Sequence, residues 1–117
     1  MKEIEQIYHN DFGVAFHWVK DDEVLTSRVQ LIFKETGFYL EPHELDEFKM
    51  LVNATCTQYD CSDCFYKQSC HKMLLKTPIN EVDLAVTQKE LYLIKDLMEG
   101  ALFNLNLNNY INNLSSN

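Results

Sequence analysis

All four cysteines of the chain fall within fifteen residues, "CTQYDCSDCFYKQSC", with the spacing C-x4-C-x2-C-x5-C: Cys56, Cys61, Cys64 and Cys70. Thiolates that converge on one point hold zinc or an iron–sulfur cluster. A C-x2-C turn brings two sulfurs together on a tight loop, and Cys61 and Cys64 have that spacing. Cys56, near the end of an expected helix, and Cys70, near the start of an expected strand, can close a tetrahedron from either side. Four thiolates are a full set for structural zinc and equally for a cluster. Zinc is the first expectation, because the chain offers no redox partner and zinc needs no assembly machinery; an iron–sulfur carrier or redox sensor is the alternative.

The first three cysteines match the plant-type ferredoxin spacing. That fold places its fourth cysteine much further on and uses a glycine-rich loop, whereas this loop has no glycine. His71 directly follows Cys70 and is a candidate to replace a cysteine ligand, although adjacent side chains diverge on a strand. Two further readings stay open. The thiols can be inert and packed in the core, against which the segment is rich in polar residues. A redox pair at Cys61–Cys64 needs nearby positive charge to form thiolate, but Asp60 and Asp63 flank it.

No catalytic set accompanies the cysteines. The sequence has no Gly-rich phosphate loop, no H-E-x-x-H and no Ser/His/Asp motif. A closed four-thiolate site leaves no open coordination position for metal catalysis. The expectation is a non-enzymatic domain that acts through a partner. His17 reads as a packed or edge histidine on a strand face, and His9 and His43 belong to no constellation. Phe16 and Trp18 read as core.

The formal net charge is −8. Repulsion from phosphate backbones disfavours nucleic acid. Of the stretches 1–55, 56–76 and 77–117, only 56–76 is not acidic, with Lys67, Lys72 and Lys76 against Asp60 and Asp63. Three lysines are too few to argue for a nucleic-acid site. No apolar run approaches the roughly 18 residues of a membrane span. The N-terminal "MKEIEQIYHNDF" lacks an apolar signal core. These features point to a cytoplasmic protein without a membrane partner, where structural disulfides are rare.

The positioning elements follow from periodicity. "FGVAFHWV" (12–19) alternates as a strand, with Val14, Phe16 and Trp18 on one face. "KDDE" is a turn, and "VLTSRVQLIF" (24–33) is the returning strand with Val29, Leu31 and Phe33 inward. "KETG" is a second turn, in which Gly37 is available for positive φ. "FYL" is a short third strand. "EPHELDEFKMLVNA" (41–54) switches to a helical stripe of Leu45, Phe48 and Leu51/Val52, with Pro42 in the first turn. Beyond the cysteines, Met73–Lys76 and Glu81–Val86 read as strands and Gln88–Glu99 as a helix. Thr87 and Glu90 form a capping box. A shift of 46 residues lays Phe38–Leu40 over Leu84–Val86 and Glu44-Leu45 over Glu90-Leu91, a candidate hairpin–helix pseudo-repeat.

"RVQLIFKETGFYLEPHELDEF" (28–48) resembles a family of short, uncharacterised bacterial proteins, chiefly from Bacteroidota. They share an "IQL-x-F" strand, a turn, an apolar strand and a helix opening with an "E-x-F" pattern. The likeness covers about a fifth of the chain. Family members carry cysteines just before this strand, where this chain has Val24-Leu25-Thr26-Ser27. The family has no assigned activity, so the resemblance implies no function.

The 117 residues, 46% of them hydrophobic, fit one domain spanning 1–117. The expected class is α+β: a mainly antiparallel sheet of four or five strands with two or three helices. A cysteine-rich connector lies at 56–70, and an apolar, Asn-rich segment lies at 101–117. That last segment, "ALFNLNLNNYINNLSSN", fits either a helix or a strand. It is either a final packed element or a surface for a homodimer or other protein partner through Phe103, Leu107, Tyr110 and Leu114. A metal-free interaction or oligomerisation module using that surface is the third functional reading.

Overall fold

The computed structural model describes residues 3–59 and 72–115. Its strands are β1 (Ile4–His9), β2 (Gly13–Lys20), β3 (Glu23–Val24), β4 (Val29–Phe33), β5 (Thr36–Leu40), β6 (Met73–Lys76) and β7 (Asp83–Val86). Its helices are α1 (Pro42–Tyr59) and α2 (Gln88–Ser115). The class is α+β, as the sequence implied. A five-stranded antiparallel sheet runs β1-β2-β4-β5, with β3 paired to β2, and β6-β7 form a separate two-stranded sheet. The expectation of two strand–helix units around one sheet is therefore corrected: the second hairpin pairs with no strand of the first sheet.

Two tight turns define the large sheet. Asp21-Asp22 and Lys34-Glu35 are two-residue connections in which all four residues have positive φ (52° to 64°). This is the turn type whose twist matches a hairpin. Gly37 does not supply the positive φ expected of it: it lies inside β5, and no described glycine has positive φ. The charged residues bear the left-handed conformation instead.

One face of the sheet carries Ala15, Leu31, Phe33, Phe38 and Leu40 into the core, against Leu45, Phe48 and Val52 of α1 and Leu91, Ile94, Leu97 and Met98 of α2. Phe33, Phe38 and Phe48 pack at centroid distances of 5.3 to 6.2 Å, Phe33 stacked on Phe38 and Phe48 edge-on to Phe38. Trp18 departs from the core reading, whereas Phe16 is buried as expected but on the other face. Register pairs Ala15 with Leu31 and Phe16 with Gln30, so Phe16 and Trp18 project from the opposite face. Trp18 remains 40% exposed, edge-on to the buried Phe16 and donating to Gln30 Oε1.

β1 was not anticipated as a strand. Only Ile7 of its six residues is buried, and a register shift between Gln6 and Tyr8 breaks the alternation. It is nevertheless the strand that fixes α2. Tyr8 Oη donates to Asp96 (2.8 Å), and Asn104 Nδ2 donates to the Ile7 carbonyl (2.7 Å). Asn10, in the β1–β2 turn, accepts from the Phe12 and Gly13 amides and donates to the Leu93 carbonyl. The Asp96 charge, first through the hydrogen bond and then with burial, raises the Tyr8 hydroxyl above its usual range.

The helix expected at Gln88–Glu99 runs on to Ser115, so the Asn-rich segment is the second half of α2 rather than an element of its own. Gly100 does not stop it. The Tyr8 ring lies against that position, where a Cβ would collide with it. Close approach of an aromatic ring, rather than chain reversal, is what this glycine permits.

Candidate functional site

α1 opens at Pro42 with the Glu41 amide donating to Glu44 Oε1 (2.9 Å). It closes with Cys56 facing the core, 8% exposed, in its last turn. β6 starts at Met73, which belongs to the same core cluster as Cys56, and α1 packs on β6. The cysteine segment therefore leaves and re-enters the fold on neighbouring elements. Cys61, Cys64 and Cys70, together with His71, lie outside the described residues. No group of three metal-ligating side chains occurs among the described residues. Cys56 fits the donor set by type and by its place at the base of the segment.

The second half of α2 separates into two faces by helical spacing. Phe103, Leu107 and Tyr110 form one stripe at i, i+4 and i+7, with exposures of 63%, 43% and 61%. Leu114, expected to continue it, has a side chain outside the described ones. Residues 101–115 of this helix contain no charged side chain. An uncharged, apolar stripe on a helix is unusual surface for a chain of net charge −8.

The other face, through Leu102, Leu105, Asn106 and Asn109, closes one side of a cleft of about 570 Å³. Pro42, His43 and Asp46 at the start of α1 form the opposite wall, and the end of the sheet forms the floor. His17 sits on that floor, opposite Glu5 in the β1–β2 register and only 7% exposed. Its Nδ1 is 3.0 Å from the Arg28 carbonyl oxygen. A carbonyl can only accept, so Nδ1 carries a proton, and in the neutral ring Nε2 then holds the lone pair. The packed-histidine reading is thus correct as to burial. What sequence reasoning missed is that His17 and His43 line the same cleft, which is assembled from β1, β2, α1 and α2. No local spacing announces such a site; the available signal was one polar residue on the helix-facing side of an apolar strand.

No helix among the described residues is long and apolar enough to cross a membrane. Comparison with known proteins supplies no relative: the chain matches no family model, no curated protein and no solved structure.

Proposed function

We propose that the chain is a non-enzymatic interaction domain that associates through the second half of α2, its partner being a second copy of itself. The observation that carries this reading is the exposed stripe Phe103, Leu107 and Tyr110 on a helical stretch without charge. Two copies of a chain of net charge −8 repel across most approaches. Pairing along residues 101–115 opposes no like charges and removes apolar area from water, about 25 cal/mol per Å². Sedimentation velocity over a concentration series tests it, with wild type compared to Leu107→Asp/Tyr110→Asp. Wild type is expected to pass from monomer to dimer while the variant stays monomeric with unchanged circular dichroism. A wild type that remains monomeric at high micromolar concentration overturns the reading.

A second reading concerns what steadies the domain, and the C-x4-C-x2-C-x5-C spacing, which begins in the last turn of α1 where α1 packs on β6, favours it. Cys56, Cys61, Cys64 and Cys70 would hold a structural zinc ion that ties α1 to the β6–β7 hairpin. Zinc would supply cross-linking and no chemistry, since four thiolates leave it no open position. Protein purified without oxygen and without a histidine tag is expected to be colourless and to carry one zinc per chain by mass spectrometry. A brown protein with iron and sulfide replaces zinc by a cluster, and absence of metal with four freely titrating thiols removes the metal site.

A further inference from the structure

The cleft between the start of α1 and the second half of α2 is separate from both the cysteines and the apolar stripe. Its volume of about 570 Å³ lies within the range of small-molecule sites. The floor is a nine-tenths buried histidine whose proton is committed to the Arg28 carbonyl. That leaves Nε2 as an acceptor, and it has no hydrogen-bond partner among the described residues. Holding a ring by Nδ1–H to a backbone carbonyl is the arrangement that presents the other nitrogen to a ligand.

Among the described residues, the carboxylates lining the cleft are those of Glu5 and Asp46, and no lysine or arginine lines it. The amides of Asn106 and Asn109 add further carbonyl acceptors. Between these polar groups the lining is apolar, with the partly buried Leu105 beside the mostly buried Leu102 and Val29. A ligand that satisfies this lining brings positive charge, several N–H donors and a short aliphatic body. The set does not suit a metal ion, since the described residues contain no convergent group of three ligands. It does not suit an anion, which would meet two carboxylates.

We propose that this cleft binds a small free aliphatic amine with N–H donors at two ends. Nε2 of His17 accepts from one ammonium group at the floor. Glu5 and Asp46 hold positive charge nearer the mouth, where both are exposed, and the carbon chain rests on Leu105 and Leu102.

The test uses the full chain, isotope-labelled, titrated with butane-1,4-diamine and in parallel with butane-1,4-diol. The diol has the same length without the charge. The diamine is expected to shift the amides of residues 5, 17, 29, 43 and 102 saturably, and the diol to leave them in place. His17→Asn keeps a donor for the Arg28 carbonyl but ends short of Nε2, and is expected to weaken the diamine at least tenfold. Glu5→Gln/Asp46→Asn, which alters only exposed side chains, is expected to weaken it by a similar factor and to abolish the salt dependence. Leu107→Asp is expected to leave diamine binding unchanged, which separates this site from self-association. Equal binding of diol and diamine, shifts scattered over the acidic surface, or affinity untouched by the carboxylate substitutions would each overturn the proposal.

Discussion

The two hairpin–helix units of this protein share a junction and differ in nearly everything around it. At the first, Leu40 enters the core, Glu41 precedes α1, and the Glu41 amide donates to Glu44. At the second, 46 residues on, Val86 enters the core, Thr87 precedes α2, and the Thr87 amide donates to Glu90. Leu45, Phe48 and Val52 match Leu91, Ile94 and Met98, and all six are fully buried. Yet the first hairpin is stitched into a five-stranded sheet through β2, whereas the second pairs with nothing but itself. A lone two-stranded hairpin is marginal in water. The second hairpin therefore depends on what reaches it from outside: α1 against β6, α2 against β7, and Lys34. That lysine, from the turn of the first hairpin, donates to the Ala85 carbonyl and to Glu90. The same local grammar gives a self-sufficient unit in one case and a dependent one in the other.

The largest test asks whether the halves share one core. Phe48→Ala is expected to cost about 3–5 kcal/mol and Ile94→Ala about 2–5 kcal/mol. Both should act on a single cooperative urea transition, because both residues belong to one cluster. Two separate transitions, each sensitive to one substitution, would break the comparison by making the units independent.

A smaller effect separates the two turns. Glu35 holds φ 61° in the first hairpin, while no residue of the 77–82 turn has positive φ. A left-handed residue other than glycine costs about 1–2 kcal/mol. Glu35→Gly is therefore expected to raise stability by about 1 kcal/mol, and Asn80→Gly to lower it by a few tenths through chain entropy. The second turn relies on Thr77 instead, whose hydroxyl donates to the Val82 carbonyl (2.7 Å) and accepts from the Ile79 amide. Thermal unfolding of the two glycine variants should shift in opposite directions.

The contrast also marks what was legible in the sequence. Helical stripes at Leu45/Phe48/Val52 and Leu91/Ile94/Met98, the alternation of Val29/Leu31/Phe33, and the Thr87/Glu90 box are local patterns, and each forms as expected. Partnership between elements is not local. Alternation in β2 showed that Phe16 and Trp18 share a face but not that the helices cover the other one, since both faces are apolar. β1 hid because a bulge breaks its period and just one side chain is buried. The end of α2 was misplaced because the apolar and Asn residues of 101–117 fit a strand as well as a helix, and only the structure carries the helix past Gly100, where the Tyr8 ring lies close. Of the candidate site, Cys56 was placed correctly at the end of a helix that runs further than expected, to Tyr59. The stripe of α2 was legible from spacing, whereas the cleft, drawn from four elements, was not.

Capping sharpens the comparison further. The second junction is a complete box, because the Glu90 amide also donates to Thr87 Oγ1 (3.1 Å). The first has Glu41 where a short hydroxyl would sit, so half of the exchange comes from a backbone carbonyl. Thr87→Ala is expected to cost about 1 kcal/mol. Glu41→Thr is expected to gain a few tenths by completing the first box; its own contact with Arg28 is long, 3.9 Å, and half exposed. Chemical denaturation resolves the pair, and equal losses at both sites would show that the junctions differ in composition only.

A further effect is electrostatic and belongs to the second junction, where Glu90 joins the halves. Burial pushes its carboxyl up, but the Thr87 amide, the Lys34 ammonium at 3.0 Å and the charge of Lys72 outweigh it and leave the group below its usual range. A carboxylate depressed in the folded state stabilises above its unfolded pKa, and that stabilisation fades as pH falls through the folded value. Glu90→Gln keeps an acceptor for the Thr87 amide and removes the charge. At neutral pH it should cost about 0.5–1 kcal/mol, a value limited by the partial exposure of both partners. Titrated downward from the usual carboxylate range, wild type should lose its advantage until the two curves meet. Lys34→Met should cost no less than Glu90→Gln at neutral pH, because it removes the bond to β7 as well as the charge. In a double variant the two losses should fall short of their sum, since each substitution removes the same ion pair. Full additivity would mean that Lys34 and Glu90 act separately, and that the second hairpin rests on the helices alone.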